Sequence, residues 1–348
     1  MDPTHSIARI LVATAAIVII LAGVKLAAEI VIPFLLSLFI AITCSPLIKA
    51  MTDRKVPLWL AIALLFALFI VISFFLIGLI NSTVREFTAS IPSYKVLLAE
   101  RVSLLSEYAQ KWNLPISRDL LTNQFDPSSI MNLVSSLLLS FSGVVTNTFV
   151  LLLVVVFMLL EAPTAKHRFA VVFSRNKNEI NSTEVQLNRV LQGVISYLGV
   201  KTITSLLTGV SVWILLEATG VQYAVLWATL SFLLNYIPNI GSILACVPII
   251  VQALLLNGFS VGFGVAAGVI GINMVIGNVI EPRMMGRTLG LSTLVVFLSL
   301  LFWGWILGTV GMLLSVPLTM ALKIALESSP STVRYALLLG DVPEEKLP

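Results

Sequence analysis

From Ala218 to Ile280 the chain carries no Asp, Glu, Lys, Arg or His, and this run is centred on Leu234-Asn-Tyr-Ile-Pro-Asn-Ile-Gly241. A second charge-free run lies between Arg287 and Lys323. Each holds an apolar segment of about 35 residues with turn formers near its middle. The first is Val221 to Leu256, broken at Pro238-Asn-Ile-Gly241, and the second is Leu291 to Leu326, broken at Gly308-Thr-Val-Gly311. As single helices they would measure about 52 Å at 1.5 Å per residue, too long for a hydrocarbon core of about 30 Å. Pro and Gly at the centre let each segment fold back on itself.

The two segments also resemble each other. Gly241-Ser-Ile-Leu-Ala-Cys-Val-Pro248 parallels Gly311-Met-Leu-Leu-Ser-Val-Pro317 with one residue fewer in the second copy. Val225 and Phe232 stand 70 positions before Val295 and Phe302, the offset that also separates Gly241 from Gly311. This is a weak internal repeat of two helical hairpins. With 58 % hydrophobic and 11 % charged residues and a mean hydropathy of +1.03, against about 25 % charged for soluble domains, the expected fold is an all-α polytopic membrane protein. The net charge of +4 is no nucleic-acid signal, because the basic residues cluster beside apolar spans instead of forming a stripe. Cys44 and Cys246 both sit in apolar runs and read as small packing residues, not as a disulfide or a metal site.

Taken in order, residues 1–80 form a three-span segment: Ile7 to Ala28, Ile30 to Ile48 and Leu58 to Ile80, with Glu29 and Pro33 marking the first turn. After Arg9 the apolar run is too long, and lacks an Ala-x-Ala exit, for a cleavable signal. Residues 81–136 differ, with balanced charges and apolar positions at helical spacing from Val84 to Trp112, which predicts an amphipathic helical module outside the cytoplasm. Residues 137–189 give a fourth span, Leu137 to Leu160, and a polar basic loop from Glu161 to Arg189. Residues 190–326 form a core of a fifth span (Val190 to Leu216), the first hairpin, a sixth span (Gly262 to Ile280) and the second hairpin. In the sixth span Gly264, Gly268 and Gly271 read as sites of close backbone packing. Residues 327–348 are a polar tail.

Basic residues in short loops face the cytoplasm, which places Arg9, Lys49–Lys55, Lys166–Arg189 and Arg283–Arg287 inside, together with both termini. Six full spans plus two re-entrant hairpins meet this condition, and so do ten full spans. The first reading is taken here because arms of roughly 16 residues are short for spanning. The related hairpins then enter from opposite faces, an inverted repeat of the kind many secondary transporters build around a midplane site.

Enzyme signatures are missing: there is no His-Glu-x-x-His, no Gly-x-Ser-x-Gly and no Walker motif. No catalytic residue, metal ligand or cofactor site is expected. Backbone freed at Pro238, Gly241, Gly308 and Gly311 must line a cavity or meet protein, and Asn235, Tyr236, Asn239, Ser242 and Thr309 set neutral donors and acceptors beside it. Such a lining suits a small, uncharged, hydroxyl-rich solute, although the same side chains would also cap broken helix ends. Asn273 and Asn278 add polar atoms on the sixth span. Glu281 is the best candidate for an ion or proton role, with burial raising and Arg283 lowering its proton affinity. A structural salt bridge at the membrane edge is the alternative. Lys201 on the fifth span is a further candidate.

Asn235-Tyr-Ile-Pro-Asn-Ile-Gly241, Gly277-Asn-Val-Ile-Glu-Pro-Arg-Met-Met-Gly-Arg-Thr-Leu-Gly-Leu-Ser292 and Phe302-Trp-Gly-Trp-Ile-Leu-Gly308 resemble the autoinducer-2 exporter family, the PerM-like permeases. The likeness runs over nearly the whole chain, with Glu281-Pro-Arg283 its most specific part. The resemblance implies a multi-pass bacterial inner-membrane protein that exports autoinducer-2, a small hydroxylated quorum-sensing signal. It also implies homo-oligomers, a pentamer being a guess at their number. Some relatives are described as sodium/proton antiporters, so cation/proton exchange is a second expectation. A third is a membrane scaffold whose 81–136 module binds a partner and moves no solute.

Overall fold

The computed structural model describes residues 3–75, 78, 148–173, 180–285, 290–327 and 332–340, and every regular element among them is helical. Among the described residues, five helices are long and apolar enough to cross a bilayer: Ala28–Asp53, Leu58–Phe75, Thr183–Thr219, Gly258–Met285 and Thr293–Glu327. The protein is an all-α polytopic membrane protein. The 81–136 module, the first part of the expected fourth span and Arg287 lie outside the described residues.

The helices are α1 (Pro3–Leu26), α2 (Ala28–Asp53), α3 (Leu58–Phe75), α4 (Thr148–Phe173), α5 (Ile180–Ala218), α6 (Ala224–Leu234), α7 (Ile240–Leu256), α8 (Gly258–Val275), α9 (Thr293–Glu327) and α10 (Val333–Leu337). Three expectations change. Pro33 does not mark a turn: the chain bends at Ala27, and Pro33 and Pro46 both lie inside α2, as prolines in apolar spans are allowed to do. The stretch from Glu161 to Arg189 is not a simple loop, since α4 continues to Phe173 and α5 begins at Ile180. Polar residues end the apolar stripe, not the hydrogen-bond ladder, so the 39-residue α5, about 58 Å long, can extend beyond the hydrocarbon. Of the three glycines expected to pack closely on the sixth span, only Gly268 does so. A side chain there would stand 2.7 Å from Leu215, whereas Gly264 and Gly271 have nothing within 4 Å.

The chain forms two compact units. The first comprises Met1–Phe66, Phe149–Gly199 and Arg287–Pro348. In it α1, α2 and α9 pack together, and the buried Ser37 hydroxyl donates to the Leu151 carbonyl at 3.0 Å, tying α2 to α4. The Lys25 ammonium of α1 lies 4.1 Å from the centre of the Trp305 ring of α9, a cation–π contact. α9 is kinked at Gly308, whose backbone (φ 63, ψ −146) belongs to glycine alone. The Trp303 indole donates to the Thr319 hydroxyl at 3.1 Å. Sixteen residues along a straight helix would part these groups by about 24 Å, so the bond shows the segment folding back on itself. At its far end Lys323 donates to the Gly290 carbonyl, and Glu327 lies 3.7 Å from both Lys323 and Arg189.

The second unit comprises Ala67–Thr148 and Val200–Gly286. Here the fold-back is explicit: α6 ends at Leu234, the chain turns through residues 235–239, and α7 returns. Pro238 and Asn239, whose φ is positive (59°), form the turn. Gly241 is required there, because a β-carbon would collide with the Leu234 carbonyl. The arms are pinned at the opposite end by Trp227 and Gln252, both without solvent exposure. The indole donates to Gln252 Oε1 at 2.8 Å, and Gln252 Nε2 donates to the Gln222 carbonyl at 3.0 Å. Asn257 closes the base by donating to the Gly220 carbonyl at 3.1 Å. At 11 residues, α6 is about 16 Å long, half of a hydrocarbon core.

Candidate functional site

Within the second unit, α5, the α6–α7 turn, α7 and α8 surround a cavity of about 520 Å³. Its apolar wall is Ile243, Val247, Ile250, Ile270 and Met274. The polar groups come from Asn235 and Asn239 in the turn, Ser242 on α7, and Asn273 and Asn278 on α8 and its continuation. Lys201 and Glu281 complete the lining.

α8 does not end at the last uncharged residue. It runs through a π-helical turn, Ile276–Ile280, into the helical Glu281–Met285. Pro282 favours this turn: its ring would press on the carbonyl four residues back in an α-helix, and it has no N–H to give. The wider turn relieves that clash, and the Glu281 N–H bonds to the Ile276 carbonyl, five residues back. The Glu281 carboxylate is thereby carried to the Lys201 ammonium at 2.6 Å. The side chains keep only 16 % and 5 % exposure, so each charge depends on the other to offset its lost hydration.

The neutral groups are fixed by their own partners. Asn235 Nδ2 donates to the buried Ser205 hydroxyl at 3.1 Å. Asn273 Nδ2 donates to the Val269 carbonyl at 2.9 Å and approaches Cys246 Sγ at 3.2 Å, which leaves Asn273 Oδ1 as an acceptor. Ser242 donates to the Asn239 carbonyl at 3.1 Å, so it caps the turn while lining the cavity.

Of the residues expected from sequence, Lys201, Asn235, Pro238, Asn239, Ser242, Asn273, Asn278 and Glu281 line this one cavity. Tyr236 stands outside the lining: its hydroxyl donates to Thr202 at 3.0 Å, and its ring meets Phe232 edge-on. Gly241 shapes the turn from beneath. Arg283 is exposed one residue beyond Pro282, and the ion pair of Glu281 goes to Lys201 instead. Gly308, Thr309 and Gly311 belong to the first unit, where Gly311 lies against the Trp303 carbonyl. Sequence reasoning missed Cys246 as a lining residue and did not join Lys201 to Glu281. Each charge stood out alone at the edge of apolar sequence, but with Glu217 between them and 80 positions separating them nothing in the sequence joined the two.

Apolar spanning helices around a folded-back turn and a half-polar cavity define a multi-pass membrane protein of the transport type. Residues 14–331 match the AI-2E family transporter profile, and the chain belongs to that family. It is 71 % identical over 348 residues to a "Putative transport protein" of Haemophilus influenzae, covering 99 % of this chain and all of that one. It is 42 % identical over 337 residues to the AI-2 transport protein TqsA of Escherichia coli K12, covering 97 % of each. Against YhhT of the same strain the identity is 40 %, covering all of this chain and 99 % of the other.

Proposed function

We propose that the protein is a secondary transporter that exports autoinducer-2, or a closely similar small hydroxylated solute, across the bacterial inner membrane. The observation that carries this reading is the cavity, whose neutral amide and hydroxyl lining lies beside an ion pair with no net charge. Such a lining replaces the water around hydroxyl groups without attracting a charged solute. The 42 % identity to a protein named for AI-2 transport supports the choice of solute. In this reading the two hairpins are re-entrant and inverted, both termini are cytoplasmic, and copies of the chain assemble into a homo-oligomer.

The test uses purified protein in liposomes loaded with autoinducer-2, under an imposed pH gradient, with native protein and Glu281→Gln compared. Gradient-dependent release that the substitution abolishes is the expected result. Release indifferent to both would leave facilitated diffusion and make Glu281 structural. The second reading, cation/proton exchange, draws on the buried carboxylate of Glu281 beside the cavity. It would replace the first if no autoinducer-2 were released while the same vesicles exchanged sodium for protons.

A further inference from the structure

The geometry points to the Lys201–Glu281 ion pair as the gate of the cavity, with the π-helical turn Ile276–Ile280 as its moving part. This rests on the cavity being the solute site, but the test below uses no solute, so the two can fail separately.

Three observations place the gate. First, the pair lies at one end of the cavity. α7 leads away from the turn, and its Cys246 is level with Asn273. Glu281 is eight residues beyond Asn273, about 12 Å along the helix, which sets it at the turn end beside Asn235. The contact from α5 to the end of α8 is therefore a strap across that end. Second, the strap is held by a turn that has an alternative. A π-turn carries one residue more than an α-turn, and returning to α register would rotate Glu281 by about 100° relative to the body of α8. That rotation would separate its carboxylate from Lys201. Third, the turn itself forms part of the cavity wall, since Gly277 lines it and a side chain there would meet nothing within 4 Å. Pro282 opposes the α register and the ion pair rewards the π register, so the closed form is set by both. Lys201 acts here as a positioning residue, holding Glu281 across the opening.

Cys246 supplies a built-in reporter, because it lines the cavity. In a Cys44→Ser background, the rate at which a membrane-impermeant maleimide labels Cys246 would be measured in inverted membrane vesicles and in right-side-out cells. Removing one partner, in Glu281→Gln or Lys201→Met, withdraws a buried charge pair and should raise labelling from one face about tenfold or more. Pro282→Ala keeps both charges, removes the clash that favours the π-turn, and should raise labelling from that same face. Exchanging the two charges in Lys201→Glu/Glu281→Lys should bring the rate back towards native. Labelling at the native rate in Pro282→Ala and in the single charge variants, with native elution and thermal stability in detergent, would overturn the gate and leave the pair structural. Faster labelling in the charge variants but not in Pro282→Ala would overturn the π-turn as the moving part.

Discussion

Gln252 is fully buried in the middle of an apolar helix, and its two bonds, from the Trp227 indole and to the Gln222 carbonyl, account for its place there. A buried amide with both ends engaged costs little, but removing one partner exposes the full desolvation penalty of the other. Trp227→Phe should therefore destabilise the protein by about 1–3 kcal/mol beyond the loss of ring area. Adding Gln252→Leu should cost less than its separate effect, because the orphaned amide is then gone. Thermal denaturation in detergent checks both. Glycines give a second contrast at the same scale. A methyl at Gly311 would run into the Trp303 carbonyl, whereas one at Gly271 would meet nothing within 4 Å. Gly311→Ala should lower the yield of folded protein sharply, and Gly271→Ala should leave both yield and melting temperature near native.

At the level of elements, what could be read from sequence divides by the range of the physics involved. The breaks at Pro238-Asn-Ile-Gly241 and Gly308-Thr-Val-Gly311 were legible because missing donors and glycine-only backbone act within a few residues. The extension of α4 and α5 was not, because apolar periodicity reports the membrane-facing stripe and falls silent once a helix leaves it. The cavity was legible in part: the amides of the turn and of α8 were found by their polarity amid apolar sequence. The pairing of Lys201 with Glu281, 80 positions apart, was not, because it depends on the π-turn that aims Glu281. The pair also separates stability from transport. Lys201→Met alone should destabilise by about 3–5 kcal/mol, leaving an unpaired buried carboxylate, while Lys201→Met with Glu281→Leu should recover most of that loss. Flux in proteoliposomes should fail in both. Native flux in the stable double variant would remove the charges from the transport cycle.

Across the whole molecule, the direction in which the proposed gate opens depends on how the chain is oriented. The basic stretches at Lys49–Lys55, Lys166–Arg189 and Arg283–Arg287 argue for a cytoplasmic position of each, since lysine and arginine resist translocation. In the first unit, Glu327 at the end of α9 lies 3.7 Å from Arg189 near the start of α5, so the tail shares the side of that basic stretch. In the second unit, Asn257 meets Gly220 just past the other end of α5. Single cysteines in a Cys44→Ser/Cys246→Ser background would check the orientation directly. Ser260→Cys, exposed just beyond Asn257, should react with an impermeant maleimide in intact cells. Leu337→Cys, 60 % exposed on α10, should react only after the vesicles are inverted. The reverse pattern would turn the protein over in the membrane, and the Lys201–Glu281 strap would then guard the outer mouth instead of the cytoplasmic one.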